Sequence, residues 1–116
     1  MAGSDLLAEL EHLVLLAVLH LGEDGYGMSV RREIEARTGR DVAIGAVYAA
    51  LERLERDGLV SARLGEPSAH RGGRAKRHFR LEPAGLHLLR EARARLEAMS
   101  RGLEREVELD PHRSHA

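Results

Sequence analysis

The chain has 116 residues, no cysteine and a formal net charge of −1, which bounds it to one domain with a modest core. The missing cysteines exclude disulfides and thiolate metal sites and fit a cytoplasmic setting. Its longest apolar run, Leu13 to Leu19, is far short of the roughly 20 residues that span a membrane. Of the 18 basic residues, 17 are arginine, whose planar forks suit bidentate contacts to phosphate or guanine.

A first helix is expected over Asp5 to Leu21, capped by Ser4 or Asp5. Leu6, Leu7, Leu10, Leu13, Val14, Leu16, Ala17, Leu19 and Leu21 surround most of it, so it needs cover on more than one side, including that of a second subunit. A turn-rich connector, Gly22 to Gly27, leads into a second helix over Gly27 to Thr38. Val30 and Ile34 face inward there, while Arg31, Arg32, Glu33 and Glu35 are solvated. After Gly39 and a turn at Arg40 to Ala43, a third helix runs from Ile44 to Asp57. Ile44, Val47, Tyr48, Leu51 and Leu54 form its apolar stripe, and Asp57-Gly58 stops it. Two short helices joined this way form a helix-turn-helix, whose second helix enters the DNA major groove.

Strands are expected at Leu59 to Leu64 and Lys76 to Leu81, joined by a loop from Gly65 to Gly73. Arg71, Arg74, Lys76, Arg77 and Arg80 lie within ten residues that hold no acid. So concentrated a charge calls for an anion, and a DNA backbone is the natural one. Alternation puts Arg77, Phe79 and Leu81 on one strand face and Lys76, His78 and Arg80 on the other. A last helix starts at Pro83 and runs to about Val107, with Leu89, Ala92, Leu96, Met99 and Leu103 as a heptad-like seam. The fold class is thus mainly α with a small β-hairpin: a winged helix-turn-helix over residues 1–82, a C-terminal dimerisation helix over 83–110, and a disordered tail over 111–116.

These motifs resemble the PadR family of winged-helix transcriptional regulators, in its short form with one C-terminal helix. The first part, ELEHLVLLAVLHLGEDGYGMSVRREIE, is similar to the family's leucine-rich start with its Gly-Tyr-Gly. GAVYAALERLERDGLV resembles the signature Gly-Ser/Thr-Leu-Tyr-Pro-Ala-Leu-x-Arg-Leu-Glu-x-x-Gly-Leu-Ile, and GGRAKRHFRLEPAG resembles the family's wing. Ala46 replaces Ser or Thr, Ala49 replaces Pro, and His78 replaces an aromatic; these departures touch individual DNA contacts. The resemblance implies a homodimer on a double-stranded DNA operator, acting as a repressor of neighbouring genes. Release by a small aromatic or lipophilic effector, or by a partner, is implied as well.

The candidate DNA-binding residues are Tyr26, Ser29, Gly45, Ala46, Tyr48, Ala49, Arg53, Arg71, Arg74, Lys76 and Arg77. The Tyr48 hydroxyl is placed on a phosphate. Arg53, on a helix face with Ala46 and Ala49, either reaches a base edge or phosphate or pairs with Glu52, Glu55 or Glu33. The candidate dimer interface and effector pocket comprise Leu13, Leu16, Ala17, Leu19, Leu89, Ala92, Leu96, Met99 and Leu103. No spacing among the seven histidines forms a metal site, no cofactor loop is present, and no nucleophile-and-base set marks an enzyme. The alternative is a protein-interaction module on the same scaffold, which has no need of five acid-free cations.

Overall fold

A computed structural model describes residues 7–65 and 76–103. It contains α1 (Glu9–Leu21), a 3₁₀ turn (Gly22–Asp24), α2 (Gly27–Thr38), α3 (Ile44–Arg56), β1 (Val60–Leu64), β2 (Arg77–Leu81) and α4 (Pro83–Ser100). The strands pair antiparallel, Val60 with Leu81 and Leu64 with Arg77. Tyr26 bridges His78, and Phe79 donates its N–H to Gly25 O at 2.7 Å. The segment before α2 is thereby tied to the second strand of the wing.

Three helices and the hairpin close over one core. Val14, Leu15 and Val18 from α1 meet Val30 and Ile34 from α2 and Val47, Leu51 and Leu54 from α3. Val60 and Phe79 come from the hairpin and Leu88 and Leu89 from α4. The α3 stripe is buried as its spacing requires, except at its two edges: Ile44 is half-buried and Tyr48 is 46% exposed. Gly58, at φ 75°, allows the Leu59 N–H to reach back to Leu54 O at 2.9 Å, which ends α3 and turns the chain into β1.

Several boundaries and contacts differ from the sequence reading. α1 begins at Glu9, not Asp5, because Ala8 is extended and its N–H is taken by the Glu11 carboxylate at 3.2 Å. Ser4 and Asp5 lie outside the described residues. α4 ends at Ser100 because Arg101 is extended and Gly102 sits at φ 92°. Residues 104–107 of the expected helix lie outside the description. Arg31 is not merely solvated: it donates from Nε to Val42 O at 2.7 Å and pairs with Asp41 at 2.8 Å, fixing the turn between α2 and α3.

The expected α4 seam divides in two. Leu89 is 2% and Ala92 9% exposed, and both belong to the protomer's own interior. Beyond Ala92 every described residue of α4 is exposed, Leu96 at 62% and Met99 at 80%, with Leu103 at 53% just past its end. This helix therefore docks by its first half and projects by its second. It contributes to a long axis of 54 Å against a shortest axis of 20 Å. α1, similarly, finds most of its cover in its own protomer. Val14, Leu15, Ala17 and Val18 are buried, Leu13 and Leu16 half-buried, and Leu19 remains 49% exposed.

Candidate nucleic-acid interface

The outward surface of α3 follows from the helix period. With 100° per residue, burying Val47, Leu51 and Leu54 turns Gly45, Ala49, Glu52 and Arg56 to the far side, and all four are exposed. Gly45 and Ala49 carry almost no side chain there, so the backbone of α3 can approach a surface closely. Ala46 lies round the helix from them and is half-buried against the core. It is a packing residue, not part of the outward face.

Tyr48 is at the edge of this surface, and its seat is built by Gly27. A Cβ on residue 27 would stand 2.3 Å from Tyr48 Cε1 and 2.6 Å from its hydroxyl oxygen. The hydroxyl end of the ring packs against a glycine that no larger residue can replace without moving it. Tyr26, immediately before, begins a second group. Lys76 Nζ sits 3.5 Å above the Tyr26 ring centroid, and the His78 ring is 5.6 Å away. Hydrogen bonding to Lys76, and then to Arg32, pulls the Tyr26 hydroxyl below the usual phenol range against an opposing effect of burial. Cations from two elements, Arg32 of α2 and Lys76 of the wing, thus act on Tyr26 together. They do so at the N-terminal end of α2, where the helix dipole is positive.

The other charges of the candidate set are committed elsewhere. Arg53 donates from Nε to Glu11 on α1 at 2.9 Å; none of Glu52, Glu55 or Glu33 is its partner. Arg77 binds both oxygens of Glu55 at 2.8 and 3.0 Å and lies 5.3 Å over the Phe79 ring. Ser29 caps α2: its oxygen accepts the Tyr26 N–H at 2.9 Å and its proton goes to Asp24 O. Lys76 is therefore the one member of the Arg53, Lys76, Arg77 trio without a carboxylate partner among the described residues. Arg71 and Arg74 lie outside the described residues.

Two cations that the sequence reading left aside belong to this surface. Arg32 is exposed as expected, and together with Lys76 it lowers the Tyr26 hydroxyl pKa. Arg56, three turns after Gly45 on the same face, was not singled out. Helical spacing from Gly45 and Ala49 was the available signal for Arg56.

The proposed effector-lining residues on α1 border two different cavities among the described residues. Leu19 borders a cleft of about 470 Å³ between the end of α1 and the hairpin, with Val18, Glu23, Arg63, Phe79 and Arg80 among its walls. Leu13, Leu16 and Ala17 line a separate groove of about 140 Å³ against Ile34 and Thr38 of α2. Among the described residues there is no cluster of three potential metal ligands, and no helix is long and apolar enough to cross a membrane.

Comparison with known proteins agrees with this geometry. The chain is 37% identical over 90 residues to the transcriptional regulator Rv3488 of Mycobacterium tuberculosis, spanning 76% of this chain and 79% of that one. A PadR family transcriptional regulator from Eggerthella lenta superposes with a TM-score of 0.64 at 25% identity, over 86% of this chain and 87% of the other. One from Clostridium difficile superposes with a TM-score of 0.70 at 19% identity, over 86% and 99%, and shares the fold. Residues 15–91 match the model of the transcriptional regulator PadR-like family. They include α2, α3, the described strands and the docked part of α4, and the chain belongs to that family of winged-helix regulators.

Proposed function

We propose that this regulator is a homodimeric, sequence-specific repressor of neighbouring genes, which binds a double-stranded operator through α3 and the wing. The observation that carries the DNA-binding reading is the continuity of two features. The exposed face of α3, made shallow by Gly45 and Ala49, runs through Tyr48 on Gly27 to the Tyr26, Arg32 and Lys76 group. A helix that fits a major groove thereby adjoins donors suited to the flanking phosphates. Tyr48 places its hydroxyl on a phosphate, Lys76 and Arg32 hold another, and Arg71 and Arg74 extend these contacts beyond the described residues. Arg53 and Arg77 act mainly as struts, holding α3 to α1 and β2 to α3.

Dimerisation is supported by the projecting half of α4, whose Leu96 and Met99, with Leu103, are exposed in the protomer. The half-buried Leu13 and Leu16 and the exposed Leu19 on α1 are a second apolar source. A small lipophilic or aromatic effector between these surfaces would change the spacing of the two α3 helices. It does so only to the extent that it binds one geometry more tightly than the other.

Selection of bound duplexes from a random pool, at fixed and stated salt, tests the DNA-binding reading. A two-half-site sequence is expected. Lys76→Ala should weaken binding to all duplexes and flatten the slope of log affinity against log salt by roughly one unit. Failure of the wild type to enrich any sequence, with binding insensitive to salt, would favour a protein-interaction module.

A further inference from the structure

Glu52 is an unusual residue to find at the centre of a surface that meets a polyanion. Gly45, Ala49, Glu52 and Arg56 fall within an arc of about 60° at 100° per residue, and Glu52 is exposed. The charges on either side are neutralised inside the protomer, Arg53 by Glu11 and Glu55 by Arg77. Among the described residues the Glu52 side chain takes part in no ion pair or hydrogen bond, and the possible i, i+4 bridge to Arg56 is not made. Its carboxylate is therefore free, central and one turn beyond the two small residues that let α3 approach.

We infer that Glu52 reads a base, and that the base is cytosine. This rests on the DNA-binding reading above and goes beyond it to operator specificity. An ionised carboxylate only accepts hydrogen bonds. In the major groove, guanine offers N7 and O6 and thymine offers O4, all acceptors, so each repels it. Adenine places a donor amino group beside the N7 acceptor, which opposes a second carboxylate oxygen. Cytosine presents its N4 amino donor with no acceptor of its own alongside. Facing any other base, Glu52 adds the repulsion of the DNA backbone without a compensating bond. Its contribution is therefore discrimination at the expense of affinity. Arg56, one turn further, meets the phosphates that flank the site.

Random-sequence selection with wild type, Glu52→Gln and Glu52→Ala at one salt concentration tests the assignment. Circular dichroism confirms that each variant is folded; residue 52 is exposed and its replacement leaves the core untouched. The wild type should show a cytosine at one position of each half-site. Glu52→Ala should lose preference at that position by about tenfold or more, keep it elsewhere, and bind non-cognate duplexes more tightly. Glu52→Gln, which can donate as well as accept, should shift the preference towards adenine. If wild type and Glu52→Ala enrich the same sequence with equal strength at every position, Glu52 does not read a base, while the DNA-binding reading stands. A position that loses its preference but carries an A·T pair in the wild-type site would overturn the chemistry given. A wild type that enriches nothing overturns both readings.

Discussion

Replacing Gly27 by alanine is expected to separate stability from DNA binding. The new methyl group would lie 2.3 to 2.6 Å from three atoms of the Tyr48 ring, whereas carbon atoms settle at about 3.5–4.0 Å. The ring must therefore retreat by more than about 1 Å. It can do so, because it is the far end of a side chain already 46% exposed. Alanine in place of glycine in a helix stabilises by at most about 1 kcal/mol. Uncovering roughly 40 Å² of half-buried ring costs about 1 kcal/mol at 25 cal/mol/Å². The two effects nearly cancel, and the melting temperature should move by only a few degrees. DNA binding has no such compensation. If the Tyr48 hydroxyl bonds a phosphate, its displacement forfeits a hydrogen bond to a charged group, about 1.5–3 kcal/mol, or roughly 10- to 150-fold in Kd. Fluorescence anisotropy on the selected duplex at fixed salt would measure this, with Tyr48→Phe as the companion that deletes the hydroxyl and leaves the ring in place. Both variants should lose affinity by the same order and keep the wild-type salt slope, since neither removes a cation. Wild-type affinity in a folded Gly27→Ala protein would refute the role given to Tyr48 and its seat. A collapse in melting temperature would refute the assumption that the ring yields freely.

The divided α4 makes a second expectation: Leu96→Asp with Leu103→Asp should give a folded monomer by light scattering, because both side chains are exposed in the protomer. Leu89→Asp should instead unfold the protein, since it buries a charge at a cost of several kcal/mol; a wild type that is monomeric at micromolar concentration would contradict the dimer. His12 supplies a pH expectation. Burial, and then Arg93, lower its pKa, and its Nε2 is buried without a partner. The unfolded chain thus takes up a proton near pH 6.5 that the folded chain resists, so stability should be level above that pH and decline below it. Thermal melts from pH 8 to pH 5 should show a smaller decline in His12→Leu than in the wild type; equal declines would exclude His12 as the cause.

The helix-turn-helix and hairpin were legible because their signals are local. The period of Val47, Leu51 and Leu54, the stop at Gly58 and the alternation around Phe79 each depend on neighbours a few residues away. Ends of helices were harder. The Glu11 side chain, not a Ser or Asp cap, serves the first described turn of α1. Gly102 was visible as a breaker, but the heptad-like spacing that carries on to Leu103 argued past it. The same spacing hid a change of environment at Ala92, where α4 leaves its own domain. Periodicity identifies an apolar face; it does not say whether the cover is the same chain or another.

Charges show the stronger limit. From sequence, the basic run in the wing reads as a DNA contact, and Arg53 in α3 as either a DNA contact or a salt-bridge partner of Glu52, Glu55 or Glu33. In the fold, Arg53 spends its donor on Glu11, 42 residues away, and Arg77 on Glu55, 22 residues away, while Arg32 acts, with Lys76, on the Tyr26 hydroxyl. Surface pairs of this kind are individually weak, on the order of 0–1 kcal/mol, and a phosphate could compete for either arginine. What they alter is the balance along α3. With both flanks neutralised, the charge presented outward is set by Glu52 and Arg56, two residues that carry opposite signs and sit one turn apart. A surface built only for affinity would not place a carboxylate there. On the proposed reading the mixed face of α3 follows: the wing and the Tyr26 group would supply attraction to any duplex, and α3 would give up part of it in return for choosing among them.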